Sequence, residues 1–597
     1  MAPVPQVLVD LAASTVPPDS RAAAGEQRAT PARRLVPVLG FAQELVVRLL
    51  VLSWAITAGW FWLWWLSPER GALGGWRLLT TVVLGWLFAN ASYGLFFMCR
   101  MTRPNPDLPV PRLRTAMVVT KAPSEPWSVL ARTLDAMRSQ VFPHPYDVWL
   151  ADEDPSQETL DWCAAHGVSV STRFGITEYH RAEWPRRTRS KEGNLAYFYD
   201  TVGYERYDVV AQLDADHIPG PTYLAEVVRP FADPSVGYVS APSVCDANDA
   251  RGWTVKGRLH KEAALHGPIQ AGCNGGWAPV CIGSHYAVRT AALRGVGGLG
   301  PELAEDYSTT LWLQSGGWDG VFAIDAEAHG DGPESLGAML TQEKQWARSL
   351  GVILTRWAPG RLRTAPWRAR LRLGFALCHY LAQGLIFILG AVIPPLAVVT
   401  GASWGSTSVV GFYGHIWPSS LLLGAILWYL RRQDLLRPRA AKLWSLDLVL
   451  FQIIRWPWTT WGFVYGMWLG IRRRAPGFAV TPKGQSARSG LQPRHLVPTL
   501  VLGVVPAAAV VLVRHPGSAL GLQIISAMQA MIYLTVVLAV IILDLRNQRP
   551  GPTSAIDGVA STVARWRRRP AAAPIGVAAT VGLSLVLFRL SVVGLTP

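Results

Sequence analysis

The sequence predicts a polytopic α-helical membrane protein with a soluble α/β domain inserted between its transmembrane helices. Three observations carry that expectation. Apolar runs of about 20 residues, the length that crosses a bilayer, recur towards both ends of the 597-residue chain. Between them, residues 113–350 alternate short β-type runs with helical stretches. Basic residues cluster beside the apolar runs, as they do on the cytosolic side of a membrane. Composition agrees: half the residues are hydrophobic, 16% are charged, 27 are Trp, and the mean hydropathy is +0.21.

Taken in order, residues 1–40 are rich in Ala, Pro, Val and Arg without a long apolar run and read as a disordered cytosolic tail. Two transmembrane helices are expected within 45–98, and Arg100 and Arg103 then put the next segment in the cytosol. In the soluble domain, Ala116–Thr120, Val148–Ala151 and Val209–Leu213 have the composition of buried strands, and Trp127–Ser139 that of a helix. Polar residues follow the strands, where open α/β sheets bind ligands. The stretch 356–372 is basic and interleaved with Trp, which suits an amphipathic segment on the inner leaflet. Two further transmembrane helices are expected within 373–430.

The apolar stretch 446–471 is long enough to cross, but Arg455 and Pro457 sit at its centre and Arg472–Arg474 follow it. An interfacial helix keeps those arginines inside, so this is the expected placement. Residues 472–494 follow on the same face, and 497–594 hold three more transmembrane helices. The expected total is seven crossings with the C-terminus outside.

The formal charge of +16 raises nucleic acid as a partner, but the basic residues form no single patch or nucleic-acid motif. They flank apolar spans, so the lipid bilayer is the expected partner and nucleic acid is not. The six Cys are scattered without a CxxC pair, which points to neither a zinc site nor a disulfide framework and suits a reducing cytosol. The bias to Arg over Lys, with much Ala, Gly and Pro, suggests a bacterial chain in the plasma membrane.

Chemistry concentrates in the soluble domain. Leu213-Asp214-Ala215-Asp216-His217 directly follows an apolar strand. Two carboxylates one residue apart at a strand end can hold a hard divalent cation against phosphate oxygens. A lone pair of this kind is more often an acidic turn; its position in a sheet domain flanked by membrane spans favours the metal. Glu305 and Asp306 precede a helical run; they serve either as general base or as an acidic pair stabilised by the helix N-terminus. Lys191, Gly193 and Asn194 open another helix in a pattern that suits a phosphate-bearing ligand. Asp152-Glu153-Asp154 ends the strand at 148–151 and reads as a nucleotide contact or a solvated loop.

In this order, Asp152, Lys191/Gly193/Asn194, Asp214-x-Asp216-His217, Glu305-Asp306 and Gln342-x-x-x-Trp346 resemble the glycosyltransferase family 2 motifs of the bacterial cellulose synthase catalytic subunit and related processive synthases. Phe478-Ala479-Val480-Thr481-Pro482-Lys483 is similar to that family's gating loop, FxVTxK. The resemblance covers about 113–484. It implies a GT-A-type domain and a UDP-sugar donor, with UDP-glucose the leading choice. A polysaccharide or glycan acceptor would be extended with inversion, and the product moved through the chain's own helices. Asp152 would contact the UDP moiety, Asp214 the diphosphate, and Asp216, with Asp214, the metal, Mg²⁺ or Mn²⁺. Asp306 would be the base, next to Glu305. Lys191 and Asn194 would lie by the nucleotide, and Glu125 in the preceding turn would join them. Gln342 would position the acceptor over Trp346. Phe478, Val480, Thr481 and Lys483 would form the gating loop.

Three departures stand out. Where the resembled motif QxxRW has an arginine beside the diphosphate, this chain has Gln345, and an amide replaces neither the charge nor the fork of a guanidinium. Ala304 stands where the motif TED has Thr. Arg173–Arg189 reads as an inserted surface loop. No segment resembles a cyclic-di-GMP-binding barrel. The alternative within enzymes is a non-processive transferase adding one or a few sugars to a lipid or glycan; the alternative outside them is a catalytically silent membrane scaffold or conduit. Cell-envelope partner proteins cannot be named from sequence.

Overall fold

The computed structural model describes residues 34–70, 75–122, 125–188, 190–283, 285–401, 409–474, 491–512 and 520–547. The expected gating loop with Phe478, Val480, Thr481 and Lys483, most of the expected tail, and the span expected at 574–594 lie outside the described residues. The end of that tail is ordered, not disordered as expected. Leu35–Pro37 (β1) pairs antiparallel with Thr102–Pro104 (β2), and Arg34 Nη1 binds Asp233 Oδ2 at 2.8 Å. The residues beside the first long helix are thereby tied to the soluble domain.

That domain is built on a seven-stranded mixed sheet. Its strands are Thr115–Lys121 (β3), Tyr146–Asp152 (β4), Ser169–Ser171 (β5), Val209–Asp214 (β6), Val236–Ser240 (β8), Tyr286–Arg289 (β10) and Asp319–Phe322 (β11), in the order β11-β8-β10-β6-β3-β4-β5. Short strands Ile218–Pro219 (β7), Ser243–Val244 (β9) and Ala328–His329 (β12) form a second sheet. The quartet β5-β4-β3-β6 is parallel, so each link crosses over through a helix; β10 runs antiparallel between β6 and β8.

Side-chain alternation along β3 explains its place. Met117 and Val119 pack on one face with Leu130 and Leu134 of the Trp127–Arg138 helix. Ala116 and Val118 pack on the other with Leu195 and Phe198 of the Lys191–Phe198 helix. A strand covered on both faces must be apolar throughout, and β3 is buried at all seven positions. Chain order reverses between β3 and β6, and the carboxyl ends of strands at such a switch form the customary ligand crevice. Lys121 and Asp214 end those two strands.

Among the described residues, five helices are long and apolar enough to cross a membrane: Phe41–Trp65, Arg77–Met98, Trp367–Thr400, Val410–Arg432 and Leu520–Asp544. The protein is accordingly a multi-pass membrane protein. Leu63, Val410 and Leu421 are among the large apolar side chains exposed on them, as lipid contact requires. Val497–Leu512, expected as a span, is an apolar helix of 16 residues. The segment expected as one interfacial piece at 356–372 is divided. Ala358–Thr364 is a separate helix, and Trp367–Arg372 already belongs to the 34-residue Trp367–Thr400 helix. Pro366 sits at the boundary and favours an extended Ala365 before it.

Leu446–Ile471 is one helix of 26 residues, docked along the Leu336–Val352 helix of the soluble domain. The approach is close enough to require glycine: a Cβ at Gly466 would lie 2.0 Å from Arg348 O, and one at Gly462 2.5 Å from Lys344 O. Arg455, the charge in the middle of this apolar stretch, meets Glu343 in a buried ion pair. Lys261 joins at 3.3 Å from Glu343 Oε1, and Gln452 Oε1 accepts from Arg455 Nε at 2.8 Å. Burial works against the Glu343 carboxylate, yet Arg455 and Lys261 outweigh it and hold the group down at about 2. Removing one member of a buried pair costs more than replacing both. Glu343→Gln is therefore expected to destabilise the protein by about 3–5 kcal/mol, read from thermal unfolding in detergent by Trp fluorescence. Glu343→Leu with Arg455→Met is expected to recover most of that loss; a single variant as stable as wild type would show the pair to be incidental.

Candidate active site

The end of β6, the start of the Lys191–Phe198 helix and the start of the Glu305–Ser315 helix converge on one cavity of about 390 Å³. Lys191, Asp214, Asp216, Glu305, Asp306, Gln342 and Trp346, all singled out from sequence, line it. Lys191 Nζ reaches Glu305 Oε1 at 2.8 Å and Asp214 Oδ1 at 3.4 Å. Burial alone would discharge this lysine; the two carboxylates outweigh it and raise its proton affinity above the ordinary value. Burial likewise opposes the Asp214 carboxylate, but Lys191 above all keeps it well below the usual range.

Asp216 Oδ1 lies 3.1 Å from His217 Nδ1, and His217 Nε2 is 3.2 Å from Ser243 Oγ. The ring of His285 lies 4.0 Å, centroid to centroid, from that of His217. Asp214, His217 and His285 each present one ligand atom within 4.8 Å of the others. Burial drives His285 well below the ordinary imidazole value, which keeps it neutral as a metal ligand must be.

Asp306 and Glu305 occupy the first turn of their helix, where the helix N-terminus favours carboxylates. Asp306 Oδ2 accepts from Gly283 N at 2.8 Å, and Oδ1 from Tyr307 N at 2.7 Å. Burial first, and the adjacent Glu305 second, raise the Asp306 carboxyl above its ordinary value despite Lys191 and the two amides. Gln342 Oε1 accepts from Arg258 Nη1 at 3.1 Å, and Trp346 is half-buried along the same helix face.

Three expected residues lie elsewhere. Asp152 is 1% exposed and bound by Lys121 Nζ at 2.9 Å. Asn194 donates to Lys121 O at 3.5 Å, and Glu125 Oε2 accepts from Ala122 N at 2.8 Å. None of the three lines the 390 Å³ cavity; they sit around the end of β3. The segment expected as an inserted surface loop, 173–189, is exposed over much of its described length, as at Phe174 and Arg181, but two of its arginines turn inward. Arg173 is 1% exposed, and Arg187 reaches the cavity wall. Composition does not report this anchoring, because the groups that receive the two arginines include Glu153 and the Glu302 carbonyl from other segments. His285, Lys121 and Arg258 were missed altogether. Each is a lone residue brought in by the sheet or a helix from a remote stretch, and no local spacing announces it.

Residues 209–542 match the family described as Glycosyl transferase family group 2. The chain belongs to that family. It is 26% identical over 327 residues to the cellulose synthase catalytic subunit (UDP-forming) of Xanthomonas axonopodis pv. citri (strain 306), covering 52% of this chain and 42% of that protein. It is 27% identical over 251 residues to the cellulose synthase 1 catalytic subunit (UDP-forming) of Komagataeibacter xylinus, covering 41% and 31%. The matches thus span less than half the length of these relatives. The solved mannosyltransferase PcManGT from Pyrobaculum calidifontis, in complex with GDP-Man and Mn²⁺, aligns at TM-score 0.42 and 16% identity over 66% of this chain and 100% of that one.

The protein is a family 2 glycosyltransferase, and its mixed sheet agrees with the GT-A-type domain expected from the motifs. A carboxyl held above its ordinary value is protonated where ordinary carboxylates are ionised, so work that needs its anion falls away at a higher pH. Glu305→Gln removes the adjacent negative charge and leaves Lys191 to Asp214 and Asp306. The acid limb of the turnover pH profile is expected to move to lower pH in this variant; an unmoved or raised limb would contradict the coupling.

Proposed function

We propose that this enzyme transfers a sugar, with glucose the leading choice, from a UDP-sugar to the end of a β-linked polysaccharide, and that the product leaves through its own membrane helices. The observation that carries the reading is the buried Asp306 carboxyl, poised at a raised proton affinity in the same cavity as Asp214 and Asp216. An acceptor hydroxyl over Trp346 would attack the anomeric carbon as its bond to the diphosphate oxygen breaks. Asp306 would take the hydroxyl proton, and UDP would depart from the opposite face, inverting the configuration. General-base assistance of this kind is worth about 10²–10⁴ in rate.

A divalent cation fits the residues present. Asp214 and Asp216 supply oxygens and His285 a nitrogen beside them; His217, held protonated by Asp216 despite burial, would give up its proton to join them. When bound, such an ion neutralises the departing diphosphate. The mixed nitrogen and oxygen set suits Mn²⁺ better than Mg²⁺, which prefers oxygen alone.

Orientation follows from charge. Arg431 and Arg432 end one span, and Arg472–Arg474 follow the helix that Glu343 holds against the domain. The proposed arrangement puts the α/β domain in the cytosol of a bacterial cell and Leu446–Ile471 along the inner leaflet. Gln345, neutral and buried in the cavity wall, favours a second reading: transfer of one or a few sugars to a lipid or glycan.

Purified protein in nanodiscs, given a panel of UDP-sugars with Mn²⁺ or Mg²⁺, is expected to release UDP and make long polymer from one donor, faster with Mn²⁺. Short glycoconjugates would favour the second reading, and no turnover with any donor would overturn both. Asp306→Asn is expected to lower turnover by about 10²-fold or more while UDP binding stays within a few-fold; near-normal turnover would remove Asp306 from the base role.

A further inference from the structure

A nucleoside diphosphate brings concentrated negative charge into a cavity that already holds Asp214, Asp216, Glu305 and Asp306. Its recognition needs a cation with donors to spare. Gln345 brings no charge, and two of the cations in the wall are committed. Lys191 is held by Asp214 and Glu305. Arg258 Nε is held by both oxygens of Glu262, at 3.2 and 3.3 Å, and its Nη1 by Gln342.

Arg187 differs. Its Nη2 donates to the backbone carbonyl of Glu302 at 2.7 Å, and its buried Nε has no hydrogen-bond partner among the described residues. The Glu192 carboxylate stands 4.0 Å from that Nε, and the Glu302 carboxylate also feels its charge. Glu302 leads into Ala304, whose N–H donates to Ser349 Oγ at 2.9 Å. Ser349 lies one helical turn beyond Gln345, on the same helix face. Arg187 thus reaches, from the opposite wall, the segment against which Gln345's face packs.

The arm that carries it is rigidly built. Arg173 Nη1 donates to Arg187 O at 2.7 Å, and its Nη2 to Glu153 Oε2 at 3.1 Å. Glu192 accepts the backbone N–H of Arg186 at 2.8 Å and of Arg187 at 3.1 Å. A Cβ at Gly193 would lie 2.0 Å from Arg173 Nη1 and 2.2 Å from Arg187 O, so only glycine admits the arm there. Arg187 and Lys191 are therefore fixed relative to each other across one helix start.

We infer that Arg187 positions the donor: its guanidinium binds the diphosphate and supplies from the inserted segment the charge that Gln345 does not. The inference rests on the glycosyl-transfer reading above. Its test is calorimetric titration of UDP, with Mn²⁺, into the full chain in nanodiscs. Arg187→Ala is expected to weaken UDP binding roughly tenfold to a hundredfold, with an unchanged unfolding temperature and a raised KM for the donor. Arg187→Lys should fall between, since an ammonium keeps the charge without the fork. Arg187→Ala combined with Gln345→Arg should regain much of the affinity, which a merely structural role would not allow. Arg181→Ala, an exposed residue of the same arm, should bind as wild type does. Wild-type affinity in Arg187→Ala, or a loss recovered by neither Arg187→Lys nor Gln345→Arg, overturns this inference alone. Wild-type protein that binds no UDP overturns it together with the function proposed above.

Discussion

Lys191 stands between Asp214 and Glu305, and the geometry of the cavity depends on that bridge. Its two partners are 91 residues apart in sequence, one at the end of a parallel strand and the other at the start of a helix. Asp214, Asp216, Glu305 and Asp306 in one half-open cavity repel one another, and each resists ionisation as water is withdrawn. A single ammonium shared by two of them lets Asp214 stay ionised while Asp306, farther from it and next to Glu305, remains hard to ionise. Environments that push neighbouring carboxyls apart give one the work of an electrostatic anchor and the other that of a base.

Much of this frame was legible in the sequence. The strands expected at Ala116–Thr120, Val148–Ala151 and Val209–Leu213 are one to three residues longer as β3, β4 and β6, because period and burial are local properties that apolar runs report directly. Seven of the residues singled out by motif share one cavity. What local spacing cannot report is a partner supplied from elsewhere. Asp152 read as a nucleotide contact, yet Lys121 from the neighbouring strand takes it. His285 carried no motif and still completes a three-residue cluster with Asp214 and His217. Arg173–Arg189 read as a loop, since an arginine buried among carbonyls has the same local composition as one in water.

The Leu336–Val352 helix is one of the places where the soluble domain and the membrane-side helices meet. Gln342, Glu343 and Trp346 all line the cavity, and Glu343 also holds Arg455 of the Leu446–Ile471 helix, so one turn serves both tasks. The cavity floor is thereby placed by the same buried ion pair that seats the helix, and an arginine that argued against a membrane crossing acquires its role from a carboxylate 112 residues earlier. The glycines at 462 and 466 let the two backbones approach, which converts that pairing into a fixed spacing.

A cryo-electron microscopy map of the protein in nanodiscs with UDP and Mn²⁺ tests the convergence most directly. Expected is diphosphate density in the cavity between Lys191 and Trp346, with an ion against the Asp214–Asp216 turn and Asp306 facing the open space where an acceptor hydroxyl would stand. Nucleotide density in another part of the domain, or an ion held away from Asp214, Asp216 and the two histidines, would contradict it.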